Sequence, residues 1–286
     1  MKNKVQISNK TLNSFLVYVS ISLNVKPTYI MKTTSVNTQS LLKFSPGNAK
    51  LVGIPSISLL AGWACPFANK CFAKVDLVTG KIIDGPDTEF RCFSATQENI
   101  FPNTRKQRQH NFELLKALKS EDDMAALIQS SLPKEKFKVI RIHVAGDFFN
   151  QKYFDAWAQI ARNNPDRIFY AYTKSLQYWV NRLGQIPDNF KLTASKGGKL
   201  DHLISEYNLK FAQVVYSEKE ANDLGLEIDH DDKHAYLGDK SFGLLIHGTQ
   251  KAGSKASKAK QALADKGWSG YARTGGYKNK TFKKAA

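Results

Sequence analysis

Short apolar segments recur through the middle of the chain, and each is followed by a pattern typical of an α-helix. Four of them begin at residues 139, 168, 190 and 211, so successive starts are 29, 22 and 21 residues apart. Repeated βα units produce this spacing, and strands joined through helices lie parallel. The segments are VIRIHV (139–144), IFYAYT (168–173), FKLTA (190–194), FAQVVY (211–216) and a later FGLLIH (242–247). We therefore predict an α/β fold, arranged as a partial or distorted parallel (β/α) barrel.

Helix signals lie between and around these segments. Residues 151–164 place aromatic and aliphatic side chains on one helical face, and Pro165 ends the pattern. Ser217 and Glu220 have the spacing of a capping box, and Gly225 marks the end of that helix. Further helices are predicted at residues 103–118, 120–130, 175–183, 199–207 and 252–266, with an additional strand at 52–60.

Positive charge is concentrated at the two ends of the chain. Of the net charge of +17, residues 1–30 carry +4 and residues 249–286 carry +9, which leaves +4 for residues 31–248. We expect residues 1–30 to be a disordered or non-native upstream extension, because MKTTSVNT from Met31 resembles an ordinary amino terminus. Residues 31–248 are predicted to form a single α/β domain. Residues 249–286 form a basic tail rich in Gly, Ser and Lys, which either contacts nucleic acid or serves as a solubilising terminus.

The apolar and cysteine patterns bear on location. The longest apolar run near the amino terminus, residues 15–25, is shorter than the roughly 18–20 residues that span a bilayer. We therefore expect no membrane partner. The chain has three cysteines, an odd number that does not suit a secreted disulfide framework. Their clustering favours reduced thiols and a cytoplasmic location.

The cysteines form the strongest candidate site. Cys65, Cys71 and Cys92 have the spacing C-x5-C-x20-C and are surrounded by aromatic residues. Thiolates suit zinc and iron–sulfur clusters, and structural zinc usually takes a fourth protein ligand, here His143 or His247. A [4Fe–4S] cluster held by three cysteines leaves one iron free for a small molecule. Three buried, inert thiols are the remaining interpretation.

Polar side chains follow the predicted strands. Ligands of parallel βα folds meet the carboxyl ends of the strands, so these side chains are candidates for ligand contact. They are His143 and Asp147, then Tyr172, Thr173 and Lys174, then Ser195 and Lys196, then Ser217, and finally His247. Strand ends are also polar simply because loops are polar, which is the alternative interpretation.

Several segments together resemble the phage and prophage proteins called the gene product 88 family. They are ACPFANKCFA, RIHVAGDFFNQKYFDAWAQIA, FYAYTKS, LTASKGG and LLIHGTQKAGSKASKA, and the resemblance covers about residues 38–273. It implies a phage-encoded protein that works in the cytoplasm of the host cell.

A more distant resemblance connects the chain with radical S-adenosylmethionine proteins. Three cysteines precede a partial βα barrel, and the strand end at residues 143–147 occupies the place of that superfamily's Gly-Gly-Glu-Pro element, although the cysteine spacing is not C-x3-C-x2-C. The resemblance implies that Cys65, Cys71 and Cys92 bind a [4Fe–4S] cluster, whose free iron holds S-adenosylmethionine. Reductive cleavage would then give a radical that abstracts hydrogen from a small-molecule or macromolecular substrate, with an external reductant.

The same resemblance assigns roles to the strand ends. Asp147 would contact the amino group of the methionine moiety, and Gly146 would permit close backbone approach. The cofactor-binding residues implied in this way are His143, Gly146, Asp147, Thr173 and Ser217. The residues implied to act on cofactor or substrate are Lys174, Ser195 and His247.

Two other functions stay open on the sequence. The cysteines could bind zinc with a histidine, or nothing, in a non-catalytic phage accessory protein whose basic ends bind nucleic acid. Residues 248–254 could form an anion-binding loop, although they lack the GKS/T arrangement of a P-loop.

Overall fold

A computed structural model describes residues 40–47, 51–135, 137–268 and 270. The elements below all belong to one unit that begins at Leu41. The predicted extension at residues 1–30, and residues 271–286 of the basic tail, lie outside the described residues. Among the described residues, no helix combines the length and the apolar character that crossing a membrane requires.

The described residues contain nine strands, most of which are short. They are β1 (Ser56–Ile57), β2 (Ala73–Val75), β3 (Ile82–Asp84), β4 (Val139–Ile142), β5 (Ile168–Thr173), β6 (Phe190–Ser195), β7 (Phe211–Val215), β8 (Glu227–Ile228) and β9 (Phe242–Leu245). Seven form one sheet in the order β1-β4-β5-β6-β7-β9-β8, and every neighbouring pair in it is parallel. The parallel sheet predicted from the spacing of the segments is thereby confirmed. Strands β2 and β3 form a separate antiparallel hairpin.

Nine helices connect and cover these strands in the described part of the chain. They are α1 (Phe93–Ile100), α2 (Pro102–Ala117), α3 (Glu121–Ser131), α4 (Gln151–Asn163), α5 (Leu176–Val180), α6 (His202–Glu206), α7 (Glu218–Asp223), α8 (Lys233–Tyr236) and α9 (Lys255–Asp265). The predicted cap is present in part: the Glu220 amide donates to Ser217 Oγ at 3.0 Å, but the Glu220 carboxylate accepts from the Tyr216 amide rather than from the Ser217 amide. Gly225 has a φ of 66° at the end of α7. The helix predicted at residues 252–266 corresponds to α9.

The order of the strands explains where the helices lie. Consecutive parallel strands that are also neighbours in the sheet, joined by right-handed crossovers, place all their helices on one face. That face, here called the outer face, carries Ile142, Ala171, Ala194, Val215 and Leu245, which belong to the hydrophobic clusters that include α4, α6 and α9. The result is a parallel sheet with these connecting helices on its outer face. Closure into a barrel is not seen among the described residues, because β1 and β8 lie at opposite ends of the strand order and do not pair with each other.

The opposite, inner face of the sheet is covered by α8, which contacts β5 and β6. Arg141 and Tyr170 are neighbours in register on this face, and both hydrogen-bond Asp232 just before α8, at 2.5 and 2.9 Å. Lys210 donates to the carbonyl oxygens of His234, Ala235 and Gly238 and so fixes the carboxyl end of the helix. These contacts of Arg141, Tyr170 and Lys210 thus hold residues 232–238, here called the crossing segment, against the inner face.

Several sequence predictions were wrong in detail. The strand predicted at 139–144 ends at Ile142, and His143 follows in a left-handed conformation with φ 65°. The long strand at 52–60 is reduced to the two residues of β1. The hairpin of β2 and β3, and the short elements β8 and α8, were not predicted. Their strands and helices are too short to carry a periodic signal.

Candidate functional site

The cysteine segment begins directly after β1, at the carboxyl edge of the sheet. The amide of Leu59 donates to the carbonyl oxygen of Ala145 at 2.8 Å, which continues the pairing of β1 with β4 beyond the strand ends. Gly146 has a φ of +83°, and a Cβ there would lie 2.6 Å from the Cβ of Leu59. Glycine is therefore required at this position, because it lets the chain that leads to Cys65 pass close to the end of β4.

The loop from Cys65 to Cys71 lies against the loop that follows β6. Lys70 donates its amide to the carbonyl of Gly197 at 3.0 Å, and Lys199 donates to the carbonyl of Phe67 at 2.9 Å. A Cβ at Gly198 would lie 3.1 Å from both the Phe67 oxygen and the Cβ of Lys174. Two glycines in the LTASKGG motif thus let the cysteine loop lie over the carboxyl edge.

Cys92 is brought to the same place by a different route. Its amide donates to the carbonyl of Cys71 at 3.2 Å, and it is the residue that precedes α1. The side chain of Gln250, beyond β9, accepts from the Arg91 amide at 2.7 Å and donates to the carbonyl oxygens of Arg91 and His247 at 3.2 and 2.8 Å. Gln250 therefore holds the third cysteine segment against the end of β9.

The three thiols lie within electrostatic reach of one another and of Asp147. Burial raises the pKa of Cys65 well above its usual value, and negative charge on Asp147, Cys92 and Cys71 raises it further. Burial, and then Cys71, also raises the pKa of Cys92, while the amides of Ala95 and Ser94 oppose the shift. Four acidic groups gathered at a partly buried edge would repel one another if all were ionised. A bound metal cation would remove that repulsion.

Cys65, Cys71 and Cys92, the predicted metal ligands, therefore lie in one region, but their side chains do not form a coordination sphere. Among the described residues, no group of three or more His, Cys, Asp or Glu side chains has an arrangement that could hold a metal ion. The chemistry of the donors, three thiols beside a carboxylate, nevertheless fits a soft metal or an iron–sulfur cluster.

Asp147 connects the ends of β4 and β5. Its Oδ1 accepts from Thr173 Oγ1 at 2.5 Å and from the Phe148 amide at 2.8 Å, and its Oδ2 accepts from the Lys174 amide at 2.7 Å. Burial raises the pKa of this carboxyl to about 6, although the hydrogen bonds from Thr173, Lys174 and Phe148 oppose the change. A carboxylate has about four acceptor sites, so one remains for a ligand.

Lys174 and Ser195 form a pair on the inner face, two residues nearer the carboxyl edge than Tyr172 and Thr193. Residues alternate between faces along a strand, and Tyr172 pairs with Thr193 in register. The next inward positions are Lys174 and Ser195, and Lys174 Nζ donates to Ser195 Oγ at 2.6 Å. Lys174 is almost completely buried and keeps two further N–H donors.

The other residues predicted to bind a ligand have different surroundings. His143 is buried between Phe148 and Tyr153, and its Nε2 lies 3.0 Å from the Tyr153 hydroxyl; burial lowers its pKa to about 3. Ser217 caps α7 with its hydroxyl. His247 has its ring centroid 4.7 Å from that of Phe93, next to Cys92. The structure thus brings Asp147, Thr173 and Gly146 to the cysteines, whereas His143 lies in the aromatic core.

Sequence reasoning missed two groups of buried polar residues. One is Gln250, whose position in a Gly- and Lys-rich segment gave no sign of burial. The other lies on the inner face, where Asp232 joins Arg141 and Tyr170, and Asp229 accepts from His234 Nδ1 at 2.8 Å. The acidic stretch at residues 229–232, and the polar residues alternating within VIRI and IFYAYT, were the available signals.

Comparison with known proteins gives a consistent family. The model of the family described as gene product 88 matches residues 30–266. The Gene 88 protein of Mycobacterium phage L5 is 31% identical over 153 residues, which cover 51% of this chain and 56% of that protein. The Gene 88 protein of Mycobacterium phage D29 is 30% identical over 135 residues, 45% of this chain and 48% of that protein.

The chain therefore spans about half the length of these two curated relatives. No solved structure matches the chain. The family model covers most of the sequence, including the cysteine segment, the parallel sheet and α9. The chain belongs to the gene product 88 family.

Proposed function

We propose that this protein is a phage-encoded iron–sulfur protein and, more specifically, an enzyme of the radical S-adenosylmethionine type. The observation that carries the proposal is the convergence of Cys65, Cys71 and Cys92 beside Asp147, at the carboxyl edge of a parallel sheet. Ligands of parallel βα folds bind at this edge.

The direction of the sheet supports a barrel-type site. The thiols follow the first strand of the sheet, and the Gly146–Asp147 turn follows the strand beside it. In a doubly wound fold, strands are added on both sides of the first strand. Here β1 lies at one edge and successive strands are added in one direction as far as β9, after which β8 forms the other edge. The site therefore lies at one edge of an unbroken run of parallel strands, which suits a reactant bound between the thiols and the carboxyl ends of those strands.

The protein side chains divide the work by their positions. The three cysteines would hold a [4Fe–4S] cluster, which supplies the electron for reductive cleavage of S-adenosylmethionine. Asp147 would accept a hydrogen bond from the amino group of that molecule at its remaining acceptor site. Lys174 would use its free N–H donors to bind a carboxylate or another anionic group, with Ser195 fixing its orientation.

Aromatic side chains would keep water from the site. Phe67 contacts Tyr178 edge to face with ring centroids 5.5 Å apart, and Phe93 lies against His247. They flank Cys65 and Cys92 on either side of the edge. Apolar walls of this kind reduce the exposure of a cluster and help to set its reduction potential. His247, which lies beyond β9, would orient a substrate from that side of the site.

The test is metal and sulfide analysis of the full chain purified without oxygen. We expect about four iron and four sulfide per chain, and cleavage of S-adenosylmethionine to 5′-deoxyadenosine and methionine after addition of dithionite. Cys65→Ser, Cys71→Ser and Cys92→Ser should each abolish full loading. The matched control is Asn69→Ala, which changes the same loop without removing a thiol, and it should load normally.

Three results would overturn all or part of the proposal. A colourless protein with stoichiometric zinc would favour the zinc-binding accessory protein. Normal iron loading in Cys92→Ser would show that the third ligand is wrongly assigned. A loaded cluster without any cleavage of S-adenosylmethionine would retain the iron–sulfur protein and reject the radical enzyme.

A further inference from the structure

One strongly charged surface lies beside the cysteines and has no role in the function proposed above. Lysines 251, 255, 258 and 266 are all exposed; Lys255 and Lys258 lie on α9, Lys251 precedes the helix, and Lys266 follows it directly. Within the described part of the chain, no carboxylate forms an ion pair with any of them. Exposed lysines elsewhere do have such partners, as Lys219 with Asp223 and Lys233 with Asp231 show.

Packing fixes the direction in which this surface faces. Ala256 and Leu263 are buried against Val215 and Leu245 on the outer face of the sheet. Lys255 and Lys258 lie three residues apart and are both exposed, so they share the side of α9 that faces solvent. From Lys255 to Lys266 the helix rises about 16 Å, a length that corresponds to roughly five phosphates of one strand in a nucleic acid duplex.

The lysine surface begins at the candidate site. The ammonium of Lys255 lies 5.1 Å from the ring centroid of Tyr216, the residue that follows β7 at the carboxyl edge. Lys251 is the neighbour of Gln250, whose side chain bonds the backbone of Arg91 next to Cys92. A polyanion bound along α9 would therefore have one end near Cys92, at the carboxyl edge of the sheet.

We propose that the substrate of the cysteine site is a nucleic acid, bound through its phosphates by Lys251, Lys255 and Lys258. The inference rests on the function proposed above, because it names the substrate class of that site. Regularly spaced phosphates match a row of unpaired lysines, and each contact releases condensed counterions. Asp265, at the end of α9, accepts from Gln261 Nε2 at 2.8 Å, and Glu220 accepts from the Tyr216 amide at 2.7 Å.

The experiment compares two double variants of the full chain, Lys255→Gln/Lys258→Gln and Lys134→Gln/Lys138→Gln. Lys134 and Lys138 are also exposed, but they precede β4 and so lie at the amino edge of the sheet. Both variants lose the same charge, and every other lysine of the chain, including those of residues 1–30 and 271–286, is unchanged. Binding is measured by fluorescence anisotropy with a labelled single-stranded DNA oligonucleotide and with its duplex, over a range of salt concentrations.

We expect the α9 variant to bind roughly 10- to 30-fold more weakly near 0.1 M salt, with a salt slope reduced by about 1.4 on single strands, and the control to bind normally. Equal weakening in both variants, or none in the α9 variant, would overturn the inference. So would equal affinity for polyglutamate or for anionic lipid vesicles.

The two proposals fail in different ways. Cys92→Ser should lose iron but keep its affinity for DNA, because the lysines do not depend on the cluster. If the protein loads no iron yet the α9 variant alone loses affinity, the cysteine proposal fails and the lysine surface remains a nucleic-acid surface. If iron loading is normal and the α9 variant binds DNA normally, only the substrate assignment fails.

Discussion

Replacement of Gln250 by alanine should loosen the third cysteine segment. This side chain is buried and makes three hydrogen bonds, to the amide of Arg91, the carbonyl of Arg91 and the carbonyl of His247. It joins residues that are 159 positions apart in the sequence. Since Cys92 follows Arg91 directly, these bonds position the thiol against the end of β9.

The size of the effect follows from the number of bonds. An intramolecular hydrogen bond contributes about 1 kcal/mol net, and a polar group left buried without a partner costs about 1–3 kcal/mol. Gln250→Ala removes three bonds from partly buried backbone groups, some of which water can reach after the change. We therefore expect a loss of about 2–3 kcal/mol in the free energy of unfolding.

The assay has two parts. Urea unfolding measures the stability, and limited alkylation with iodoacetamide followed by peptide mass spectrometry measures the reactivity of each of the three cysteines. We expect faster alkylation of Cys92, with little change at Cys65. The matched control is Gln261→Ala, since Gln261 bonds only Asp265 on the exposed side of α9 and should cost less than about 0.5 kcal/mol. Equal effects of the two variants, or unchanged alkylation of Cys92, would refute this account of the site.

Two further predictions concern buried charge. Because burial, and then Arg141, lowers the folded-state pKa of His143 to about 3, its neutral form contributes stability above its ordinary pKa near 6.5 that is lost as the pH falls toward 3. The comparison is with His143→Asn, since asparagine tolerates a φ of 65°. In urea unfolding, the free energy of unfolding of the wild type should fall by about 3 kcal/mol more than that of the variant between pH 7 and about pH 4.5. Parallel pH profiles of the two proteins would contradict this prediction. Asp232→Asn removes the carboxylate that pairs with buried Arg141 and should lower the free energy of unfolding by about 3–5 kcal/mol. The matched control is Asp231→Asn, in an exposed pair with Lys233, which should lower it by less than about 1 kcal/mol. Similar losses in the two variants would be inconsistent with a buried ion pair.

The sheet was predictable because its signals are local. A run such as VIRI has the composition of a strand, and the following helix α4, with its Asn150 cap, completes a repeating unit. The spacing of these units then requires parallel pairing, whatever the rest of the chain does. The position of the three cysteines relative to the strands followed from the same reasoning.

The features that were not predictable depend on contacts between distant residues. His143 belongs by sequence to a strand, but its left-handed conformation turns the ring into the aromatic core beside Phe148 and Tyr153. Gln250 lies in a segment whose composition is typical of a solvated loop, and its burial depends on Arg91. Neither periodicity nor composition carries information about such pairs, because the burial of each residue depends on which other residues it contacts.

The crossing segment on the inner face limits how a reactant can reach the site. Helix α8 lies against β5 and β6, and Tyr170 and Tyr172 both donate hydrogen bonds to Asp232 before it. The crossing segment thus covers this part of the inner face as far as Tyr172. The next inward-facing residues toward the carboxyl edge are Lys174 and Ser195. Any molecule that touches this pair must therefore approach from the carboxyl edge, where the cysteine loop and the end of β9 lie. A reactant bound as proposed above would therefore reach the Lys174 ammonium from the same edge at which the cysteine loop lies.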